Sequence, residues 1–310
     1  MTAVQVSYRL PTHRVELGHE FVSPGAIGDL SSAAEDVGFG AVFTTEHPFP
    51  GDYWLAHGGH HALDPFVALS FAAAATSRIR LHTNLFILAY RNPFMAAKGI
   101  ASLDVLSGGR VILGVGAGYL EDEFTALGVS YGDRADRTDE AIRAMKAAWT
   151  GKSVTWDGEF FQAPGNTMLP APVQVPHPVL WIGGNSRRAI RRAVDLADGW
   201  TPFPNPPGMA RHTKTAVLET SDDLAREMEY AATYAESVGR TRPLTIAFAP
   251  VGLPAIGGVD QDDGAVVGAL EKLARMGVGW VTVGFPGDTC AEQLASIQRF
   301  APIISAVAPL

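Results

Sequence analysis

Short apolar, β-branched runs alternate along the chain with amphipathic, alanine-rich stretches, and this alternation predicts repeated βα units around a parallel sheet. Eight strands are expected, at 4–8, 41–44, 79–85, 111–115, 179–182, 199–201, 244–248 and 280–283. Helices fit between them at 27–37, 65–75, 93–106, 136–149, 187–197, 224–238, 265–276 and 291–307. The punctuation agrees: Pro93 opens a helix where its missing N–H costs nothing, and Gly108 and Gly109 close that helix before Arg110 starts a strand. Eight such units in 310 residues, somewhat more than the ~250 residues of a typical barrel, point to an α/β chain folded as one (β/α)8 TIM barrel with loop insertions at the C-terminal face of the strands. An open, doubly wound sheet is the alternative.

Three stretches exceed a minimal barrel. Residues 48–63 are rich in Gly, His and aromatics and follow the second strand, where barrel active-site loops project. Residues 152–178 predict a hairpin turning at Asp157-Gly158, then a proline-rich return through Pro170, Pro172, Pro176 and Pro178. Both are expected above the C-terminal ends of the strands. The third, 202–220, opens with Pro and Gly and leads toward a polar helix, which suits a loop on the substrate side.

Composition narrows the partners. The 24 Lys+Arg against 32 Asp+Glu leave a net charge of −8 with no basic run, so nucleic acid is not an expected ligand. Cys290 is the lone cysteine, which excludes an internal disulfide and a thiolate metal cluster and fits a reducing compartment. No apolar run approaches the ~20 residues of a membrane span, and the alternation of Val4, Val6 and Tyr8 reads as a strand. The expectation is therefore a cytoplasmic protein with a small-molecule substrate and no membrane partner.

The chemistry-bearing residues sit where predicted strands end. At Gly183, Gly184, Asn185, Ser186 and Arg187 a strand runs through two glycines into a helix. Backbone N–H groups, a hydroxyl and the helix dipole there suit a phosphate, with Arg187 or Arg188 adding charge. The same residues also read as a tight turn with a Ser or Asn N-cap. Around Gly114, Gly116 and Gly118 the third glycine of G-x-G-x-x-G is missing, which argues against a dinucleotide fingerprint. Small inward residues there leave room for a flat ring, or else pack a crowded barrel end. His47, in Thr44-Thr45-Glu46-His47, brings an imidazole suited to proton transfer near neutral pH to the catalytic face. His57, His60 and His61 match no zinc spacing, so no metal is expected; with Tyr53 and Trp54 they resemble a substrate lid. Neither GxxxxGK[ST] nor GxSxG occurs, which removes the commonest nucleotide-hydrolase and serine-hydrolase readings.

From Arg80 the stretch RLHTNLFILAYRNPFMAAKGIASLDVLSGGRVILGVGAGYLEDEF resembles the luciferase-like monooxygenase superfamily. The order of R-x-x-R-x-D-E from Arg134 to Glu140, PxPVQxPHPxLWIGGNS from Pro170 to Ser186 and DGW from Asp198 to Trp200 reinforces it. Within that superfamily the chain is most similar to the actinobacterial subgroup of coenzyme F420-dependent oxidoreductases. The resemblance covers residues 24–205 well and the last third by topology alone. It implies a flavin or deazaflavin across the strand C-termini, with its ring near the fourth strand and its phosphate at the late βα loop. It further implies a non-proline cis peptide at Asn84-Leu85 supporting the ring, His47 beside the ring, and a homodimer through helices 65–75 and 93–106. One departure stands out. Sugar-phosphate dehydrogenases of the family carry a glutamate after the GxG of the fourth strand, where this chain has Tyr119, which argues against glucose 6-phosphate as substrate.

Three functions follow from the resemblance. The first is hydride transfer between coenzyme F420 and a small organic substrate, with His47 as proton donor or orienting group and Trp54 and Tyr119 shaping the pocket. The second is an FMN-dependent monooxygenase using O2 and reduced flavin from a separate reductase. The third is a flavin-binding barrel without turnover.

Overall fold

A computed structural model describes residues 3–250 and 256–307. The chain runs β1 (Gln5–Arg9), α1 (Pro24–Val37), β2 (Ala41–Thr44), α2 (Asp52–Ala56), α3 (Pro65–Ala75), β3 (Arg80–Ile87), α4 (Pro93–Leu106) and β4 (Val111–Gly116). It continues through α5 (Glu121–Ala126), α6 (Arg134–Ala148), β5 (Val154–Asp157), β6 (Gln162–Asn166), β7 (Val179–Gly183), α7 (Arg187–Leu196), β8 (Gly199–Thr201) and α8 (Pro207–Thr213). The last third holds α9 (Ser221–Ser237), β9 (Thr245–Phe248), α10 (Asp263–Arg275), β10 (Trp280–Val283), α11 (Cys290–Arg299) and α12 (Ala301–Val307). Eight parallel strands close in the order β1-β10-β9-β8-β7-β4-β3-β2, a TIM barrel, and β5 pairs with β6 as a separate antiparallel hairpin.

Strand alternation sorts the side chains into two layers. Val6 and Tyr8 of β1 face outward into the main core between sheet and helices, whereas Ala41, Ile112, Trp181 and Ala247 form an inner cluster with Val179 and Trp280. The helices start where the sequence supplies caps: Asp64 and Asn92 each accept backbone N–H groups ahead of Pro65 and Pro93.

The inner layer also holds His82 of β3, fully buried, with Nδ1 3.4 Å from Ser7 Oγ and its ring 4.9 Å from Trp181. Burial, with Arg80 adding to it, pushes its imidazole down to about 3. It is neutral when folded and takes up a proton below about 6.5 when unfolded. Its stabilisation is thus whole above about pH 6.5 and is lost as pH falls toward 3, by up to ~1.4 kcal/mol per unit. Urea midpoints from pH 7 to 4 should show this slope, and His82→Gln should flatten it; an unchanged slope in the variant would assign the acid sensitivity elsewhere.

Three expectations need correction. The stretch 152–178 does not lie above the C-terminal ends of the strands. It joins the end of α6 to the start of β7 and therefore belongs to the opposite end of the barrel. Val173 and Gln174 donate backbone N–H bonds to Asp104 at the end of α4, and Gln174 also reaches the Val111 carbonyl at the start of β4. Nor does the hairpin turn at Asp157-Gly158: Asp157 is still paired with Gln162, because Glu140 of α6 accepts the N–H groups of Phe160 and Phe161 and holds a wider loop. The helix expected over 291–307 breaks at Phe300 into α11 and α12, since Pro302 has no N–H for the ladder. The stretches 48–63 and 202–220 do follow β2 and β8, at the C-terminal ends. Cavities of about 310 and 390 Å³ open at the other end around His177, Asp198 and Arg242, but their cations are spent internally, Arg242 on Asp198 and Lys146 on the Leu196 carbonyl. Among the described residues no helix is long and apolar enough to cross a membrane.

Candidate active site

The site begins with an ion pair that joins two strand ends. Glu46, just past β2 and 4% exposed, accepts the Ile87 N–H at 2.7 Å and a charge-assisted pair of bonds from Arg91. Arg91 in turn stacks over Phe86 at 4.3 Å. Burial pushes the Glu46 carboxyl up, while Arg91 and the Ile87 N–H pull against that shift. The clamp fixes the loop after β2 to the end of β3 and so sets the position of the next residue, His47.

His47 is enclosed by side chains from four segments. Its ring centroid lies 4.3 Å from Trp54 of α2, 4.9 Å from His60 and 6.1 Å from Tyr119 after β4. Its Nδ1 is 3.6 Å from Oε2 of Glu123 in α5, just beyond hydrogen-bonding distance, and has no partner of its own. Glu123, 1% exposed, is held by the Tyr90 hydroxyl at 2.8 Å and the Phe49 N–H at 3.3 Å. Burial, then Glu123, raise the Tyr119 phenol to about 12, and the same two causes raise Tyr90. Both phenols are therefore protonated donors at neutral pH.

Sequence reasoning placed His47, Trp54 and Tyr119 at one pocket, and the structure brings them together. It missed Glu123, Tyr90 and Arg91. The signal for Glu123 was the acidic run Glu121-Asp122-Glu123 after the fourth strand, in a helix too short to show periodicity. Of the lid histidines, only His60 joins the site; it also meets His13 at 5.3 Å, whereas His57 stacks on Tyr53 at 4.1 Å.

The Asn84-Leu85 peptide is cis, at the expected place in β3. Its neighbourhood revises the reading of the glycines. Cβ atoms on Gly114 and Gly116 would stand 3.2 and 3.3 Å from Leu85 methyls, and one on Gly183 would collide with Leu85 outright. A Cβ on Gly118 would press on Ile87 and Phe124 at 2.8 and 2.9 Å. These glycines thus admit protein side chains at a crowded barrel end, and Leu85 covers the strand backbone at Gly114, Gly116 and Gly183.

At the β7–α7 turn, Gly184 takes φ 104°, which favours glycine. Asn185, 1% exposed, spends its amide on the Phe203 and Ala216 carbonyls at 2.9 and 3.2 Å and accepts the Phe203 N–H at 3.1 Å. Its side chain ties 202–220 to the barrel and is not free for an anion, a correction to the sequence reading. Ser186 is the N-cap, accepting Ala189 N–H at 3.2 Å. Arg187 lies over Tyr230 at 4.3 Å, and Arg188 pairs with Asp136 and Asp139. The anion-binding capacity that remains is the N–H groups of the first turn of α7.

Whether a polar planar cofactor fits can be judged from unsatisfied groups. Buried side-chain atoms without a partner gather at the strand C-termini: Thr12 Oγ1, His13 Nδ1, Thr44 Oγ1, Thr45 Oγ1 and His47 Nδ1. Buried polar atoms are normally paired, so such a cluster marks a place shaped for a ligand's donors and acceptors. The residues fit.

Comparison with known proteins agrees with this geometry. Residues 4–243 match the family described as luciferase-like monooxygenase. The chain is 30% identical over 250 residues to the F420-dependent glucose-6-phosphate dehydrogenase of Microbacterium testaceum, covering 76% of this chain and 72% of that one. Among solved structures, an F420-dependent secondary alcohol dehydrogenase in complex with an F420-acetone adduct superposes with TM-score 0.73 at 17% identity, covering 99% of this chain and 100% of that one. The oxygenating constituent of 3,6-diketocamphane monooxygenase from Pseudomonas putida, a type II Baeyer-Villiger monooxygenase in complex with FMN, gives TM-score 0.73 at 16% identity, covering 99% of each chain.

Proposed function

The chain belongs to the luciferase-like monooxygenase family and is an oxidoreductase, and from that premise we propose that it transfers a hydride between coenzyme F420 and a small organic substrate. The observation that carries this reading is His47: its Nδ1 buried and unpartnered, its ring enclosed by Trp54, Tyr119 and Glu123 above a closed barrel. Bound at the strand C-termini, F420 would supply the hydride chemistry, and the protein's part is positioning and proton management. The first turn of α7 with Ser186 would take the cofactor phosphate, and Leu85 with the cis peptide would support its ring. His47 would exchange a proton with substrate, with Glu123 facing its Nδ1 at 3.6 Å. Trp54 and His60 would exclude water from above.

A second reading is an FMN-dependent monooxygenase served by a separate reductase, favoured by the FMN complex on the same fold. Tyr119 stands where sugar-phosphate dehydrogenases of the family carry glutamate, so we place the substrate outside that class. Exposed Val67 and Phe71 of α3 with Met95 and Leu106 of α4 suit a homodimer face.

Parallel titrations with F420 and FMN, each oxidised and reduced, test the assignment. We expect F420 to bind at least about tenfold more tightly, a gap of ~1.4 kcal/mol. Preference for reduced FMN would overturn it in favour of oxygenation.

A further inference from the structure

Arg9 ends β1 with its side chain on the inner side of the barrel. Residues two apart on a strand share a face, and Ser7 meets His82 inside the barrel. The guanidinium lies against Gly284, just after β10, where a Cβ would stand 2.9 Å from Nε and 3.0 Å from Nη2. The ionisable groups around it are Tyr8, His13, His60 and Arg14, with no carboxylate among them. Arg14, by contrast, is paired with Glu16 and Asp288, each at 3.0 Å. Among the described residues Arg9 has no hydrogen-bond or ion-pair partner, and residues 1–2, 251–255 and 308–310 contain no Asp or Glu.

Two residues that follow Arg9 also carry unsatisfied polar atoms. Thr12 is 1% exposed and its hydroxyl has no partner; His13 Nδ1 is likewise buried and unpaired. Burial and then Arg9 hold the His13 imidazole down to about 3, so it is neutral at physiological pH. A half-buried guanidinium without a counter-charge lowers stability unless a ligand completes it. Its planar fork matches the paired oxygens of a carboxylate or phosphoryl group. In the closed ring of strands β1 stands opposite β7, the same number of places away in both directions. A cofactor phosphate at α7 would therefore lie across the mouth from Arg9.

We propose that Arg9, with Thr12 and His13, anchors an anionic oxygen group of the substrate, making the substrate class small organic acids or phosphate esters other than sugar phosphates. Only the identification of that anion with the substrate rests on the proposed function; anion binding at Arg9 stands by itself.

The test uses inorganic phosphate and benzoate as probes. Calorimetric titration into the full chain loaded with F420, or with FMN should that bind better, is expected to show binding of one of them. Arg9→Met should weaken it at least about tenfold and Arg9→Lys by less, with cofactor affinity unchanged within about twofold. In the unloaded chain the same anion should raise the thermal midpoint of the wild type by more than that of Arg9→Met, whose own midpoint should be equal or higher because an unpaired charge is gone. The proposal is overturned if neither anion binds at roughly 50 mM, a Kd too weak to matter, or if Arg9→Met binds the anion as well as the wild type does. Parallel loss of cofactor affinity would overturn it too, by making Arg9 a cofactor residue. Failure of both cofactors to bind the wild type would defeat the proposed function, while the unloaded chain would still report on Arg9.

Discussion

Replacing His47 with asparagine should lower turnover by about one hundred- to ten-thousand-fold, the range associated with a positioned general acid or base, while cofactor affinity changes less than about threefold. The split follows from the enclosure. The imidazole is packed by Trp54 and Tyr119 and faces Glu123, whereas the phosphate end of the proposed cofactor site lies at α7. Asparagine keeps a polar group of similar reach but cannot carry the proton. Single-turnover kinetics beside a cofactor titration would separate the two effects. Equal turnover in the variant would remove His47 from the chemistry, and equal losses in both measurements would make it a binding residue.

Gly114→Ala should destabilise the protein by about 3 kcal/mol, the upper end of the usual cost of overpacking. The new methyl would collide with the Thr83 carbonyl oxygen, a backbone atom held in the β3–β4 ladder, and would stand 3.1 Å from His82 Nε2 and 3.2 Å from Leu85 Cδ2. Backbone in a closed barrel has nowhere to move. Gly183→Ala also collides, but with the tip of Leu85, so it should cost less and be relieved when combined with Leu85→Ala. Gly268→Ala, in α10 with nothing near its Cβ, should instead stabilise by ~0.5–1 kcal/mol. Urea midpoints of the four variants would check the ranking, and a mild Gly114→Ala would show that the strand pair can part.

Periodicity carries local information, and for that reason the eight strands and most helix limits were legible before any coordinates. The short apolar runs at 41–44 and 280–283 and the capped starts at Pro65 and Pro93 need only neighbours in the chain to be recognised. His47 was legible too, because a histidine directly after a barrel strand can only project from the catalytic end. The short helices α2, α5 and α8 were not, since five to seven residues show too little of a 3.6-residue period to stand out.

Only the tertiary structure decided which charges are spent and which are free. Asn185 and Arg187 look like ligands in sequence, yet one is used by the 202–220 segment and the other lies on α9. Glu46 reads with His47 as an ionisable pair at the catalytic face and Glu123 as one of an acidic run, yet Glu46 locks Arg91 and it is Glu123 that faces His47. Arg9 reads as the polar end of a strand until closure of the barrel turns it inward beside Gly284. Residue type and spacing set what a side chain can do within its own segment; whether it meets a partner depends on segments far apart in the chain, which only closure of the barrel brings together.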